Sequence, residues 1–189
     1  MEVLQPDLIR HARQGSEIAW ETLVREHQQA LFRLAYLMLG DASDAEDVAQ
    51  EAFVRAFRAL DTFDELRPVR PWLLSITANL ARNRRRSIGR YLHALTRAVR
   101  GEPEPVTTIG ERSTQQWEAD TLLQAVRRLT AQDQEIIYLR FFLDLTEAET
   151  ATTLDIAMGT VKSRLHRALG RLRVLVDSDF PALREERRA

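Results

Sequence analysis

Residues 146–173, TEAETATTLDIAMGTVKSRLHRALGRLR, read as two helices joined by a tight turn, the second loaded with basic side chains. Thr146 and Glu149 stand at capping-box spacing, so a hydroxyl and a carboxylate can satisfy backbone N–H groups that a helix start leaves without partners. Asp155 follows Leu154 where this first helix should stop, and Asp tolerates the left-handed turn that Gly usually supplies. On the second helix Val161, Leu165, Ala168, Leu169, Leu172 and Val176 fall on one apolar stripe, while Ser163, His166, Arg167 and Gly170 point the other way. Thr160, Lys162, Arg164, Arg171 and Arg173 flank the outward face, and no Asp or Glu lies between Gly159 and Val176 to neutralise it. A helix of this kind enters the major groove of duplex DNA by its N-terminal residues. Thr160, Ser163, Arg164 and Arg167 are therefore the candidate readers, with Lys162, His166 and Arg171 beside them. A solvated Arg-rich helix would carry the same charge; the capped helix ahead of it favours DNA.

Ahead of this pair, Thr130 and Asp133 signal another helix start before the run Ile136, Ile137, Leu139, Arg140, Phe141, Phe142, and a further helix is predicted over 115–129, which makes four in a compact C-terminal unit. Upstream, Ser16 can cap a long helix through Trp20, Leu23, Leu31, Leu34 and Leu37 that stops at Gly40. Ser43 and Glu46 form a second capping box, opening a helix to about Leu60, and Pro71 sits where a first helical residue should for a helix ending near Arg86. Strand patterning is absent. Between 87 and 114 the pattern weakens into GEPEPVTT, too poor in large apolar residues to pack, with Leu92, Leu95 and Val99 able to extend a short helix before it. The expected fold is all-α: two small helical domains joined by a flexible linker at about 90–114, the C-terminal one containing the helix-turn-helix.

Of the 189 residues 44% are hydrophobic and 29% charged, an ordinary globular composition. A net charge of -1 does not argue against nucleic acid, because binding follows local potential and the charge here is segregated. Acids crowd 41–51, whereas 82–100 and 162–173 are basic blocks. The absence of cysteine excludes disulfides, thiolate nucleophiles and Cys-ligated zinc. No apolar run approaches the roughly 20 residues of a membrane span and the N-terminus is not signal-like, so a cytoplasmic protein without membrane insertion is expected. His11, His27, His93 and His166 are scattered and expected at the surface, without a second ligand at metal spacing. No catalytic constellation, metal site or cofactor loop is found.

Two faces of the N-terminal half stand out. On the helix 44–60, Ala45, Ala49, Ala52 and Ala56 form a small-residue seam for a close neighbour, while Asp47, Gln50, Glu51 and Val54 recur on the polar side. An outward valine among carboxylates and an amide suits a docking surface; acids at a helix N-terminus are also simply favoured by its dipole. On the helix 71–86, Leu73, Ile76, Thr77 and Leu80 turn inward and Trp72, Ser75, Asn79, Arg82, Asn83 and Arg86 line the opposite side. An aromatic ring leading amides and guanidinium groups suits unstacked single-stranded DNA. The alternative is a half-buried core Trp72 and a basic helix C-terminus, with Phe57 and Phe63 also able to serve as core.

With an acidic helix, an aromatic-basic helix and a C-terminal helix-turn-helix in that order, the chain resembles, over nearly its whole length, the extracytoplasmic-function group of bacterial sigma factors in the sigma-70 family. The segment DAEDVAQEAFVRAF, 44–57, is similar to the family's core-polymerase-binding helix, with Asp47, Gln50 and Glu51 at positions that meet the beta-prime coiled coil. RPWLLSITANLARNRRR, 70–86, is similar to the helix that captures and melts the -10 promoter element, and GTVKSRLHRA, 159–168, to the helix that reads the -35 element. The resemblance implies a region 2 domain over 1–89, a linker over 90–114, and a region 4 domain with a short tail over 115–189. It also implies a promoter-recognition subunit that is not an enzyme and needs no cofactor. Its partners would be core RNA polymerase (beta and beta-prime subunits), promoter DNA in double- and single-stranded form, and an anti-sigma factor. A pocket on the Asn79–Arg82 face could then offset the few kcal/mol that flipping a base costs. Three positions depart from the family pattern: Thr150 for an aliphatic residue, Asp155 for Gly and Ala157 for Pro or Ser. The rival readings are a dimeric operator-binding regulator with the same helix-turn-helix and a helical metal-dependent hydrolase using Asp44, Asp47 and Glu51.

Overall fold

A computed structural model describes residues 5–98 and 114–180, with side-chain surroundings for 7–90 and 120–180. Among these residues there are eight α-helices and no strand. α1 (Gln5–Arg13) leads into α2 (Glu17–Leu39), whose start and stop are the expected ones. Ser16 accepts a hydrogen bond from the Ala19 N–H, and Gly40, at φ 79°, turns the chain in a conformation that costs an L side chain energy.

α3 (Ala42–Ala59) begins differently from the expectation. Asp41 caps it, accepting from the Asp44 N–H at 2.8 Å, and Ser43 and Glu46 already lie inside the helix. Asp41 follows Gly40 in extended backbone, the geometry a capping side chain needs, and its charge complements the helix dipole. Ala45, Ala49, Ala52 and Ala56 are buried as a seam, letting α3 pack on α2 and α4. Arg13 ties α1 to the far end of α3: its guanidinium donates to the carbonyls of Leu60 and Phe63 around the 3-10 turn Leu60–Thr62. His27, expected at the surface, is buried instead, because it lies on the core face between Leu23 and Leu31 at the i, i+4 step.

α4 (Val69–Ala98) starts two residues before Pro71, which stays within the first turn where its missing N–H has no intrahelical bond to make. It runs past Arg86, where its end was expected, to Ala98. Gly89 costs about 1 kcal/mol in a helix interior, and the Arg- and Leu-rich surroundings carry the helix through it. α4 thus enters the stretch read as a linker, whose remainder, 99–113, lies outside the described residues.

Two faces of α4 are buried. Val69, Leu73, Thr77 and Leu80 form the first, packed within the N-terminal half, and the Thr77 hydroxyl donates to the Leu73 carbonyl. About 100° around the helix, Leu74, Ala78 and Ala81 form the second, in line with Pro71, whose carbonyl accepts from Thr153 of α7. The two halves share one continuous hydrophobic core.

The second half comprises α5 (Thr114–Arg127), α6 (Ala131–Ile137), a π-helical turn (Tyr138–Phe142), α7 (Glu147–Leu154) and α8 (Met158–Asp179). Thr130 caps α6 as expected. Val161 and Ala168 of α8 are buried, and Leu165, Leu172 and Leu175 pack beside them. Leu169, placed on the stripe from sequence, is 39% exposed: it lies about 80° around the helix from Val161, at the edge of what these neighbours cover.

Candidate nucleic-acid and partner-binding faces

The helix-turn-helix is built as its sequence dictates. The Thr146 hydroxyl accepts from the Glu149 N–H while the Glu149 carboxylate accepts from the Thr146 N–H, completing the capping box. The bond from the Thr146 N–H foremost, and a second that the Thr146 hydroxyl donates to the carboxylate at 2.8 Å, hold the Glu149 carboxyl below its ordinary value of 4.5. Asp155 adopts φ 53° and donates its N–H back to α7, supplying the turn in place of Gly. Thr150, in place of an aliphatic residue, is buried with its hydroxyl donated to the Thr146 carbonyl, so nothing polar is orphaned. Ala157 stands at the N-cap of α8 without a side-chain bond.

From that turn α8 presents Lys162, Ser163, His166 and Arg167 as exposed side chains, with Thr160 and Arg164 half-buried. Arg167 Nε donates to the Ser163 carbonyl at 3.2 Å, and Lys162 lies 3.5 Å from Glu147. Arg171 is engaged differently: its Nη1 meets the carboxylate of Asp133, a buried residue of α6, at 2.6 Å.

On α3, Asp47 and Gln50 are exposed, Glu51 is half-buried and Val54 is 43% exposed. Glu51 accepts from Arg55 at 2.8 Å, and Arg84 of α4 pairs with Asp44 and lies 3.9 Å from Asp47. The Asp44 hydrogen bond, then its charge, raises the Arg84 pKa. Asp44 and Asp47 are thus answered by a cation rather than converging for a metal. One turn beyond Val54, Phe57 is 55% exposed, its ring 5.1 Å from Trp20 in an edge contact. Sequence reasoning left Phe57 undecided; the i, i+3 step from Val54 is the signal that places it on the same stripe.

On α4, Asn79, Asn83 and Arg86 are exposed and Trp72, Ser75 and Arg82 half-buried, so the strip read from sequence exists as one surface. It is braced by pairs one turn apart: Arg82 donates to Asn79, and Arg86 to Asn83 at 2.5 Å. Trp72 is stacked on buried Phe63 with ring centroids 4.3 Å apart, so one indole face is already taken. Sequence reasoning missed the next feature altogether. Arg82 Nη1 lies 2.8 Å from Glu135 of α6, and Arg85 Nη2 4.0 Å from the other oxygen of the same carboxylate. Neither separation along the chain gives a local signal.

Comparison with known proteins agrees with this geometry. Residues 23–91 match the model for sigma-70 region 2, and residues 119–172 match that for sigma-70 region 4. The chain is 31% identical over 187 residues to the ECF RNA polymerase sigma factor SigW of Bacillus subtilis, covering 92% of this chain and 97% of that one. It is 36% identical over 169 residues to SigL of Mycobacterium tuberculosis, covering 85% and 92%. The solved structure of CnrH in complex with the cytosolic domain of CnrY superposes with a TM-score of 0.70 at 27% identity, covering 93% of this chain and 98% of that one. A region 2 module followed by a region 4 module defines a sigma factor, the subunit through which RNA polymerase recognises promoters. The chain belongs to the extracytoplasmic-function group of the sigma-70 family. Among the described residues no helix is long and apolar enough to cross a membrane.

Proposed function

We propose that the three faces divide the start of transcription among them. Asp47, Gln50, Glu51 and Val54 dock on the beta-prime coiled coil of core polymerase. Trp72, Ser75, Asn79, Arg82, Asn83 and Arg86 hold the unstacked strand of the -10 element. Thr160, Lys162, Ser163, Arg164, His166, Arg167 and Arg171 meet the -35 duplex. The observation that carries this reading is α8: a helix presented by a capped helix and a left-handed turn, with Lys162, Ser163, His166 and Arg167 exposed and no acid before Asp177. We take residues 1–89 as the region 2 domain, 90–114 as the linker and 115–189 as the region 4 domain; the matched segments 23–91 and 119–172 support that division. The chain works in the cytoplasm and catalyses nothing itself, bond formation belonging to the polymerase. An anti-sigma protein holds it inactive; that CnrH, similar over nearly the whole chain, was solved in complex with the cytosolic domain of another protein, CnrY, supports a protein partner for this fold.

The test is assembly and initiation. Purified chain should bind core polymerase and start transcription at a defined promoter, and Glu51→Arg should weaken assembly at least about tenfold, the change that about 1.4 kcal/mol makes. Unchanged assembly would remove the docking face, and operator binding without polymerase would favour a conventional regulator.

A further inference from the structure

α1 has no part in the three faces, and it lies ahead of residues 23–91, the segment that matches sigma-70 region 2. Leu8, Ile9 and Ala12 are buried, and α1 packs on α2. Its two long polar arms converge on one place. Arg10 and Arg13, one turn apart, both extend to the connection between α3 and α4. Arg13 Nε and Nη2 donate to the Leu60 carbonyl at 3.1 and 2.9 Å, and Nη2 reaches the Phe63 carbonyl as well. Arg10 Nε lies 3.7 Å from Oε2 of Glu65, a buried oxygen without a hydrogen-bonding partner among the described residues.

That connection carries Phe63, 8% exposed, and Trp72 is stacked on it with ring centroids 4.3 Å apart and planes 30° apart. Trp72 opens the α4 strip read as the seat of the unstacked strand. A ring that takes a base on one face binds best when its other face is already held, because an indole otherwise turns about its side-chain bonds and must be ordered on binding. Phe63 gives that backing, and its own place follows from the backbone that bears it. The carbonyls of 60–63 stand at the C-terminal end of α3, where a helix leaves acceptors unpaired and carries partial negative charge. A guanidinium fork answers both the charge and the two carbonyls at once; a lysine could answer only the charge with the same fixity.

We propose that Arg13, with Arg10 beside it, is a positioning residue for the -10 element. α1 is a brace that fixes the 60–65 turn and, through Phe63, sets the plane of Trp72 on which an unpaired base stacks. It governs how the strand is held without itself lying on the strip. This rests on the assignment of the α4 strip to DNA.

The test uses holoenzyme assembled from core polymerase and the full chain. It is titrated with a single strand carrying the -10 segment of a promoter it transcribes, in which 2-aminopurine replaces each adenine in turn and loses fluorescence when it stacks on a ring. Arg13→Lys should weaken strand binding about threefold to tenfold, the scale of one lost hydrogen bond from a charged donor. It should also lower the quenching reached at saturation, with holoenzyme assembly and -35 duplex binding unchanged. Trp72→Leu should abolish the quenching, and adding Arg13→Lys to it should cost nothing further, because the arginine acts through the ring. Weaker binding with full quenching at saturation is a loss of stability alone and overturns the brace, as do additive losses in the double variant. A harmless Arg13→Lys beside a harmful Trp72→Leu overturns the brace and leaves the strip standing. If Trp72→Leu binds and quenches like the unaltered chain, the strip and the brace fall together. Should Arg13→Lys fail to fold by circular dichroism, Glu65→Gln carries the test: it removes only the Arg10 pair and should lower the quenching by less, and unchanged quenching overturns the brace.

Discussion

His27 shows how one residue reports on packing. It sits in the core of α2, and its Nε2 has no hydrogen-bonding partner among the described residues. Burial pushes its pKa below 6.5; nearby Glu26 opposes that shift and Arg70 adds to it. The neutral imidazole is therefore the form that folds. Its contribution is fully present above 6.5, the ordinary value, and is lost as pH falls through the lower folded value. Glu149, also lowered, contributes stability that is lost only as pH falls below 4.5 through its folded value, outside the pH range compared next. The melting temperature should fall as pH is lowered from 7.5 to 5.5, and His27→Leu should flatten that dependence; an equal slope in the variant would mean that another group titrates. The signal was present in the sequence: Leu23, His27, Leu31, Leu34 and Met38 follow the helical period, although Glu26, Gln28 and Gln29 surround the histidine with polar neighbours.

At the scale of elements, caps decide more than propensity. α7 has only eight residues, too few to hold a helix in water by itself. Its capping box and its packing must therefore supply what its length does not. Thr146→Ala should lower unfolding stability by about 1 kcal/mol, read as a reduced denaturant midpoint at unchanged slope. It should also weaken -35 duplex binding, because α7 and the Asp155 turn orient α8. A variant with normal stability would show that tertiary contacts alone hold the turn. Such local chemistry was legible: Ser16, Gly40, Thr130, Thr146 and Asp155 act as their side chains and backbone preferences predict. The start of α3 was less so, because Asp41 and Ser43 are both good caps two residues apart, and only the left-handed Gly40 decides between them. The second buried face of α4 was hardest to read. Alanines such as Ala78 and Ala81 suit exposed and buried helix positions alike, and a helix packed on two sides loses the clean stripe that periodicity detects.

The whole molecule couples what the sequence divides. The aliphatic stripe of α4 and its Leu74, Ala78 and Ala81 face belong to one hydrophobic core that also includes Tyr138, Leu145 and Val161 of the second half. Glu135 and the carbonyls of Pro71 and Leu143 give that seam a polar rim, so separating the halves exposes both apolar area and charge. Folding should therefore be one cooperative event, with far-UV circular dichroism and tryptophan fluorescence tracing the same urea transition. Leu74 is fully buried on the side of α4 that meets the second half, whereas Leu34 is buried in α2. If one core serves the whole chain, Leu74→Ala and Leu34→Ala should each cost about 2–5 kcal/mol and shift a single transition. Two resolved transitions in the unaltered chain, or a Leu74→Ala effect confined to one spectroscopic probe, would instead mean that the halves fold independently and meet only as neighbours.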